Sequence, residues 1–159
     1  MLYLFDMDGT LRRALPPFPS PIRAHWQRIL PGRRERLEAL HDEGHQLGAA
    51  SNQTMVAMGI VSFRRCEEVM ERTNVLLRGR LRWIRFCPHH PIALRPQFRR
   101  RCPCRKPAPG LLLEALEIFG VTGRAAVYVG NGTQDQQAAR GAGMAFVSAH
   151  DFFERRSNR

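Results

Sequence analysis

Apolar positions recur along this chain in two alternating rhythms. Leu2–Phe5 is a short, unbroken apolar run, the pattern of a strand covered on both faces. Over residues 33–43 the spacing becomes helical, with Leu37 and Leu40 on one side and Gly44 as a stop. A second strand is predicted over 46–50, ending at Ser51-Asn52-Gln53, and a helix over 61–77. A third strand follows over 82–86, holding Trp83 and Ile84. Gly110–Phe119 has Leu111, Leu112, Ala115, Leu116 and Phe119 on the apolar side of a helix. A strand over 125–129 runs into Gly130-Asn131-Gly132, then come a helix over 134–141, a strand over 145–147 and a terminal helical turn over 151–156. Two stretches break the rhythm. Residues 11–32 contain Pro16, Pro17, Pro19, Pro21 and Pro31 and are expected to form a long irregular loop, with one turn of helix near Trp26. Residues 87–108 hold Cys87, Cys102 and Cys104 and form a second loop. Strands alternating with helices predict an α/β fold, a doubly wound parallel sheet with right-handed crossovers. No repeat or linker divides the pattern, so residues 1–159 are expected to form one domain.

Composition adds bounds. A chain of 159 residues can bury a substantial core. No apolar run approaches a membrane span, and the first residues are strand-like, without a charged-then-apolar leader. A cytoplasmic protein is expected, acting as a monomer and without a membrane partner. The formal net charge is +11. Such a field attracts phosphate-rich partners, nucleic acid included; it is equally what an Arg-rich composition leaves behind. Of the 25 basic residues, 24 are Arg and one is Lys106.

Candidate chemistry begins at Asp6-Met7-Asp8-Gly9-Thr10. Residues i and i+2 of a strand point the same way. At the carboxyl end of the first strand, Asp6 and Asp8 would both face the sheet edge where open α/β sheets bind ligands. Like charges this close need a cation or a shared proton. One account is a nucleophilic carboxylate, an acid/base carboxylate and Mg²⁺; the other is an Asp-Gly turn after a strand. Ser51 and Asn52, Lys106, and Asn131 with Asp135 also follow strands or open helices, so a parallel sheet brings them to the same rim. There Asp6 can attack phosphorus, Asp8 can protonate the leaving oxygen and then activate water, and Ser51 and Lys106 can hold the phosphoryl oxygens. A lone lysine between Arg105 and Pro107 is either the last one left by chance or a place where a compact ammonium is required.

Together, Asp6-x-Asp8-Gly9-Thr10, Ser51, Lys106 and the Gly130 to Asp135 segment resemble the four motifs of the haloacid dehalogenase superfamily of phosphatases. Ser51-Asn52-Gln53-Thr54, Cys87-Pro88-His89-His90-Pro91 and the run from Cys102 to Gly110 are similar to the branch that contains heptose-1,7-bisphosphate phosphatase and the histidinol-phosphate phosphatase domain. The resemblance implies a core without a large cap domain and a zinc-bound loop at about 87–107. It implies Asp6 as nucleophile, Asp8 as acid/base, Ser51 and Lys106 on the phosphoryl group, and Thr10, Asn52 and Arg105 on the substrate. It implies Mg²⁺ held by Asp6, Asp8, Asn131 and Asp135. Zinc also follows from chemistry: Cys87, His89, Cys102 and Cys104 offer three thiolates and an imidazole, a structural set, although the one-residue gaps are tighter than usual. His90 is the competing ligand, and Cys66, in a helical stretch, is expected to be a buried thiol. The chain departs from the family at Asn131, where a Mg²⁺-binding Asp is normal. An Asn carbonyl can ligate a hard cation but brings no charge. The expected function is a Mg²⁺-dependent phosphomonoesterase acting on a sugar phosphate, a bisphosphate or a related small metabolite. The alternatives are a phosphatase of nucleic-acid ends and a phosphate-binding protein with weakened catalysis.

Overall fold

A computed structural model describes residues 1–154 of the chain. In order, it forms β1 (Leu2–Phe5), β2 (Arg12–Ala14), β3 (Gln27–Ile29), α1 (Arg33–Asp42), β4 (Gln46–Asn52), α2 (Thr54–Ala57), α3 (Phe63–Leu76), β5 (Trp83–Cys87), α4 (Gly110–Phe119), β6 (Ala126–Gly130), α5 (Thr133–Gly141), β7 (Ala145–Ser148) and α6 (Ala149–Glu154). Five strands make one parallel sheet in the order β5-β4-β1-β6-β7. Phe5 of β1 lies between Ala49 of β4 and Val129 of β6.

Alternation along β1 divides the core. Leu2 and Leu4 pack on the face covered by α4 and α5, among Leu112, Ala115, Tyr128 and Ala138. Phe5 turns to the other face, among Leu37 and Leu40 of α1, Met70 of α3 and Phe153 of α6. Each face is apolar because each is covered, which explains why the strands read as continuous apolar runs. The chain steps from β1 outward to β4 and β5, then returns past β1 to β6 and β7. That reversal puts a crevice beyond the carboxyl ends of β1, β4 and β6, where open α/β sheets place their ligands.

Three differences from the sequence expectation have local causes. Residues 11–32 are not wholly irregular: β2 and β3 pair antiparallel, with Arg13 opposite Arg28. The prolines are confined to the connection and to Pro31 beyond it, and the alternation of β2 is disguised because its buried positions are Arg12 and Ala14. The helix expected from 61 starts at Phe63, because the Ser62 side chain caps it by accepting from the Arg65 N–H at 3.1 Å. The terminal helix starts earlier than expected, at Ala149; positions 155 and 156 of the expected turn lie outside the described residues.

Candidate active site and metal centre

The crevice is a cavity of about 620 Å³ whose walls include Asp6, Asp8, Ser51, Asn52, Lys106, Asn131 and Asp135. The four segments that strand-end placement brings to one rim meet there, and Arg13, Pro19 and Ser20 join them. Lys106 forms the floor and is 3% exposed. Its Nζ donates to Asp6 Oδ1, Asp135 Oδ1 and Tyr128 Oη, each at 2.7 Å. The Tyr128 hydroxyl in turn donates to the Ala50 carbonyl at 2.9 Å. Burial alone would pull the ammonium down, but Tyr128, Asp6 and Asp135 outweigh it and hold its pKa above the usual lysine range. For Asp6 the balance is opposite: burial raises its carboxyl, only partly offset by Lys106, while Asp135 and Asp8 push it further up. Thr10, expected on the substrate, is instead fully buried and does not line the cavity; its hydroxyl donates to the second Asp6 oxygen at 3.4 Å.

Asp8 also lines the cavity. Its Oδ1 accepts from Arg12 Nε at 2.9 Å, and its Oδ2 from Ser20 Oγ at 3.0 Å and Gln53 Nε2 at 2.8 Å. The same Gln53 amide donates to Ser51 Oγ at 2.8 Å, tying the end of β4 to the acid/base candidate. Asn52 accepts from the Lys106 N–H at 3.0 Å and donates to the Lys106 carbonyl at 2.9 Å, so its amide clamps the lysine backbone. Arg105 does not line this cavity. It lies in an adjoining cleft that shares Lys106 and Gln134 with it, and donates to the His89 carbonyl and Thr54 Oγ1, both at 3.0 Å. Arg13, exposed at the mouth, does line it. Sequence reasoning missed Tyr128, Gln53, Arg12 and Arg13; the Asn-Gln pair after β4 was the one available signal, and it pointed to Asn52.

The oxygen donors near Asp6 suit a hard cation. Asn131 Nδ2 lies 3.3 Å from the Asp8 carbonyl and 2.1 Å from where a Cβ on Gly9 would stand, and the φ of +82° at Gly9 favours glycine there. Turning the Asn131 amide over would bring its oxygen beside the Asp8 carbonyl, and with the Asp6 carboxylate lining the same cavity these are oxygen donors of the kind Mg²⁺ takes. Asp135 is committed elsewhere: Oδ1 to Lys106, and Oδ2 to the N–H groups of Asn131 and Gly132, both at 3.1 Å.

The second centre follows β5. The ligand atoms of Cys87, His89, Cys102 and Cys104 all lie within 4.8 Å of one another. Their Sγ atoms are 2.9, 3.2 and 3.4 Å apart, closer together than the roughly 3.8 Å edge of a tetrahedron with Zn–S bonds of about 2.3 Å. His89 Nδ1 faces the thiols, 3.4 Å from Cys104 Sγ, while His90 Nδ1 accepts the Ile92 N–H at 3.3 Å and takes no part. Donor chemistry and spacing fit zinc. Cys66 is buried in α3, apart from this group, and burial pushes its thiol up to about 12.

A family model described as haloacid dehalogenase-like hydrolase matches residues 99–149. The D-glycero-beta-D-manno-heptose-1,7-bisphosphate 7-phosphatase of Photorhabdus laumondii is 34% identical over 108 residues, 66% of this chain and 57% of the relative. The enzyme of the same name from Escherichia coli K12 is 34% identical over 113 residues, 69% of this chain and 59% of the relative. The chain thus spans less than two thirds of the length of these relatives. The D,D-heptose 1,7-bisphosphate phosphatase of B. bronchiseptica, solved with magnesium and phosphate, matches with a TM-score of 0.78 at 24% identity, over 91% of this chain and 78% of that one, a likeness of fold.

Proposed function

We propose, from the premise that this chain carries a haloacid dehalogenase-like hydrolase domain, that it is a phosphomonoesterase acting through an aspartyl-phosphate on Asp6, with a phosphorylated sugar or sugar bisphosphate as substrate. The observation that carries this is Lys106, whose buried ammonium bridges Asp6 and Asp135 on the floor of a cavity that Asp8 overlooks. The ammonium neutralises charge on the phosphoryl oxygens and holds Asp6 in place. An oxygen of Asp6 attacks phosphorus, the ester P–O bond breaks, and Asp8 gives its proton to the leaving oxygen. Asp8 then takes a proton from the water that cleaves the acyl phosphate. Asp6, Asp8 and Asn131 would hold Mg²⁺, with Asp135 behind them; the ion would supply positive charge at the transferring group. The sugar follows from the names of the relatives, both heptose bisphosphate phosphatases.

A second candidate substrate, a phosphorylated nucleic-acid end, is favoured by the net charge of +11 and by the exposed Arg100 and Arg101, of which Arg101 lines the cleft adjoining the cavity. A screen of phosphate release from sugar phosphates and bisphosphates beside 3′- and 5′-phosphorylated oligonucleotides tests both, with Asp6→Asn as the blank. Turnover of the sugars that vanishes in Asp6→Asn is expected. Release from no substrate, or undiminished release by that variant, would sink the proposal.

A further inference from the structure

We propose that Arg12 is a positioning residue for Asp8, holding the acid/base carboxylate at the angle from which it protonates the leaving oxygen; this rests on the phosphatase function proposed above. Alternation along β2 sends Arg13 outward to the cavity mouth and Arg12 inward, where it is 0% exposed. Its Nε donates to Asp8 Oδ1 at 2.9 Å. Its Nη1 donates to Thr73 Oγ1 of α3 at 2.6 Å and to Gln27 Oε1 of β3 at 3.4 Å. Those anchors are themselves fixed: Thr73 Oγ1 donates to the Val69 carbonyl at 2.9 Å, and Gln27 Nε2 to the Ala24 and Val69 carbonyls at 2.8 and 3.1 Å. The guanidinium is therefore held between two strands and a helix, and Asp8 is the carboxylate it pairs with among the described residues.

Stability alone does not account for such a residue. Arg12 Nη2 is buried without a hydrogen-bond partner, which costs free energy. Exchanging a buried ion pair for apolar side chains of similar volume is often neutral or stabilising. What the pair does provide is orientation. With Oδ1 fixed on Arg12 and Oδ2 on Ser20 and Gln53, the Asp8 carboxyl has little freedom to rotate. In the first half-reaction an Asp6 oxygen bonds to phosphorus and the ester P–O electron pair passes to the leaving oxygen. That oxygen takes the Asp8 proton, so a negative charge appears on Asp8 beside the permanent charge of Arg12. The alcohol departs, and in the second half-reaction Asp8 recovers a proton from the attacking water. A lysine could supply the charge but not the fork that joins Asp8 to Thr73.

The test exploits leaving groups. An alkyl phosphate needs the Asp8 proton to expel its alkoxide; p-nitrophenyl phosphate expels a stable phenolate and needs it far less. Values of kcat/KM report the steps through ester cleavage, so they isolate the proton donation. In Arg12→Gln, kcat/KM for a sugar phosphate should fall roughly 100-fold or more, the usual scale of general acid catalysis, and for p-nitrophenyl phosphate far less. Arg12→Lys should recover part of the loss. Thr73→Val removes the anchor without touching the cavity, and should move the ratio in the same direction by a smaller factor; it carries the test if the Arg12 variants do not fold. Equal losses on the two substrates would overturn the role of Arg12 while leaving the phosphatase intact. A wild-type protein that hydrolyses neither ester would overturn both.

Discussion

Lys106 places one positive charge between two carboxylates that water barely reaches. Removing the ammonium in Lys106→Met leaves Asp6 and Asp135 facing each other, and breaking one side of a buried pair typically costs about 3–5 kcal/mol. A urea titration should show a loss of that order, and phosphate release should vanish. An unchanged unfolding midpoint would mean that the two carboxylates share a proton without it. Asn131 invites a second substitution. Asn131→Asp adds a charge beside Asp6 and the Asp8 carbonyl, so the Mg²⁺ activation curve should move to lower concentration; an unmoved curve would exclude position 131 from the cation seat. Both residues were legible in the sequence, Lys106 as the single lysine and Asn131 as an amide where a carboxylate is usual. Tyr128 was not. Its hydroxyl is committed to Lys106 and Ala50, yet in a strand of alternating apolar residues it looks like any core aromatic. Gln53 was hidden similarly, since a neutral amide carries no sign of which carboxylate it will meet.

At the scale of elements, the parallel strands and longer helices were legible because burial on both faces leaves a plain apolar record. The β2–β3 ribbon was not, because its inward side is written with Arg12 and Gln27, whose burial depends on partners from α3 and on Asp8. The loop after β5 was legible only as chemistry: three cysteines and a histidine suggest a metal-ligand set, while only the fold separates His89 from His90. About one Zn²⁺ per chain is expected by metal analysis. Chelation under reducing conditions should lower the melting temperature by several degrees and open residues 87–107 to proteases, because ligation is coupled to folding of the loop. Thiol labelling after chelation should reach Cys87, Cys102 and Cys104 and spare Cys66, which lies in the core with a suppressed thiolate. A protein free of zinc with an unchanged melting curve would overturn the assignment.

For the whole molecule, the net charge of +11 sets how strongly polyanions are drawn to it. An oligonucleotide substrate would release condensed counterions, so its affinity should fall steeply and log-linearly between about 50 and 200 mM salt. A sugar phosphate, with one or two phosphates, should show a much shallower slope. Steady-state KM values across that range separate the two, and a steep slope for the sugar would mean that bulk field rather than site geometry governs capture. One connection joins the two centres along the chain. Cys104 and Lys106 are separated by one residue, and the Lys106 backbone is clamped by Asn52 while its side chain floors the cavity. A zinc ion that orders the cysteine loop would therefore also help set the ammonium on the cavity floor. If zinc on that loop tightens an oxyanion on Lys106, reciprocity requires the oxyanion to tighten the retention of zinc by the same factor. The protein would surrender its metal to a chelator more slowly when inorganic phosphate fills the cavity, so that ligand supply protects the loop against metal loss.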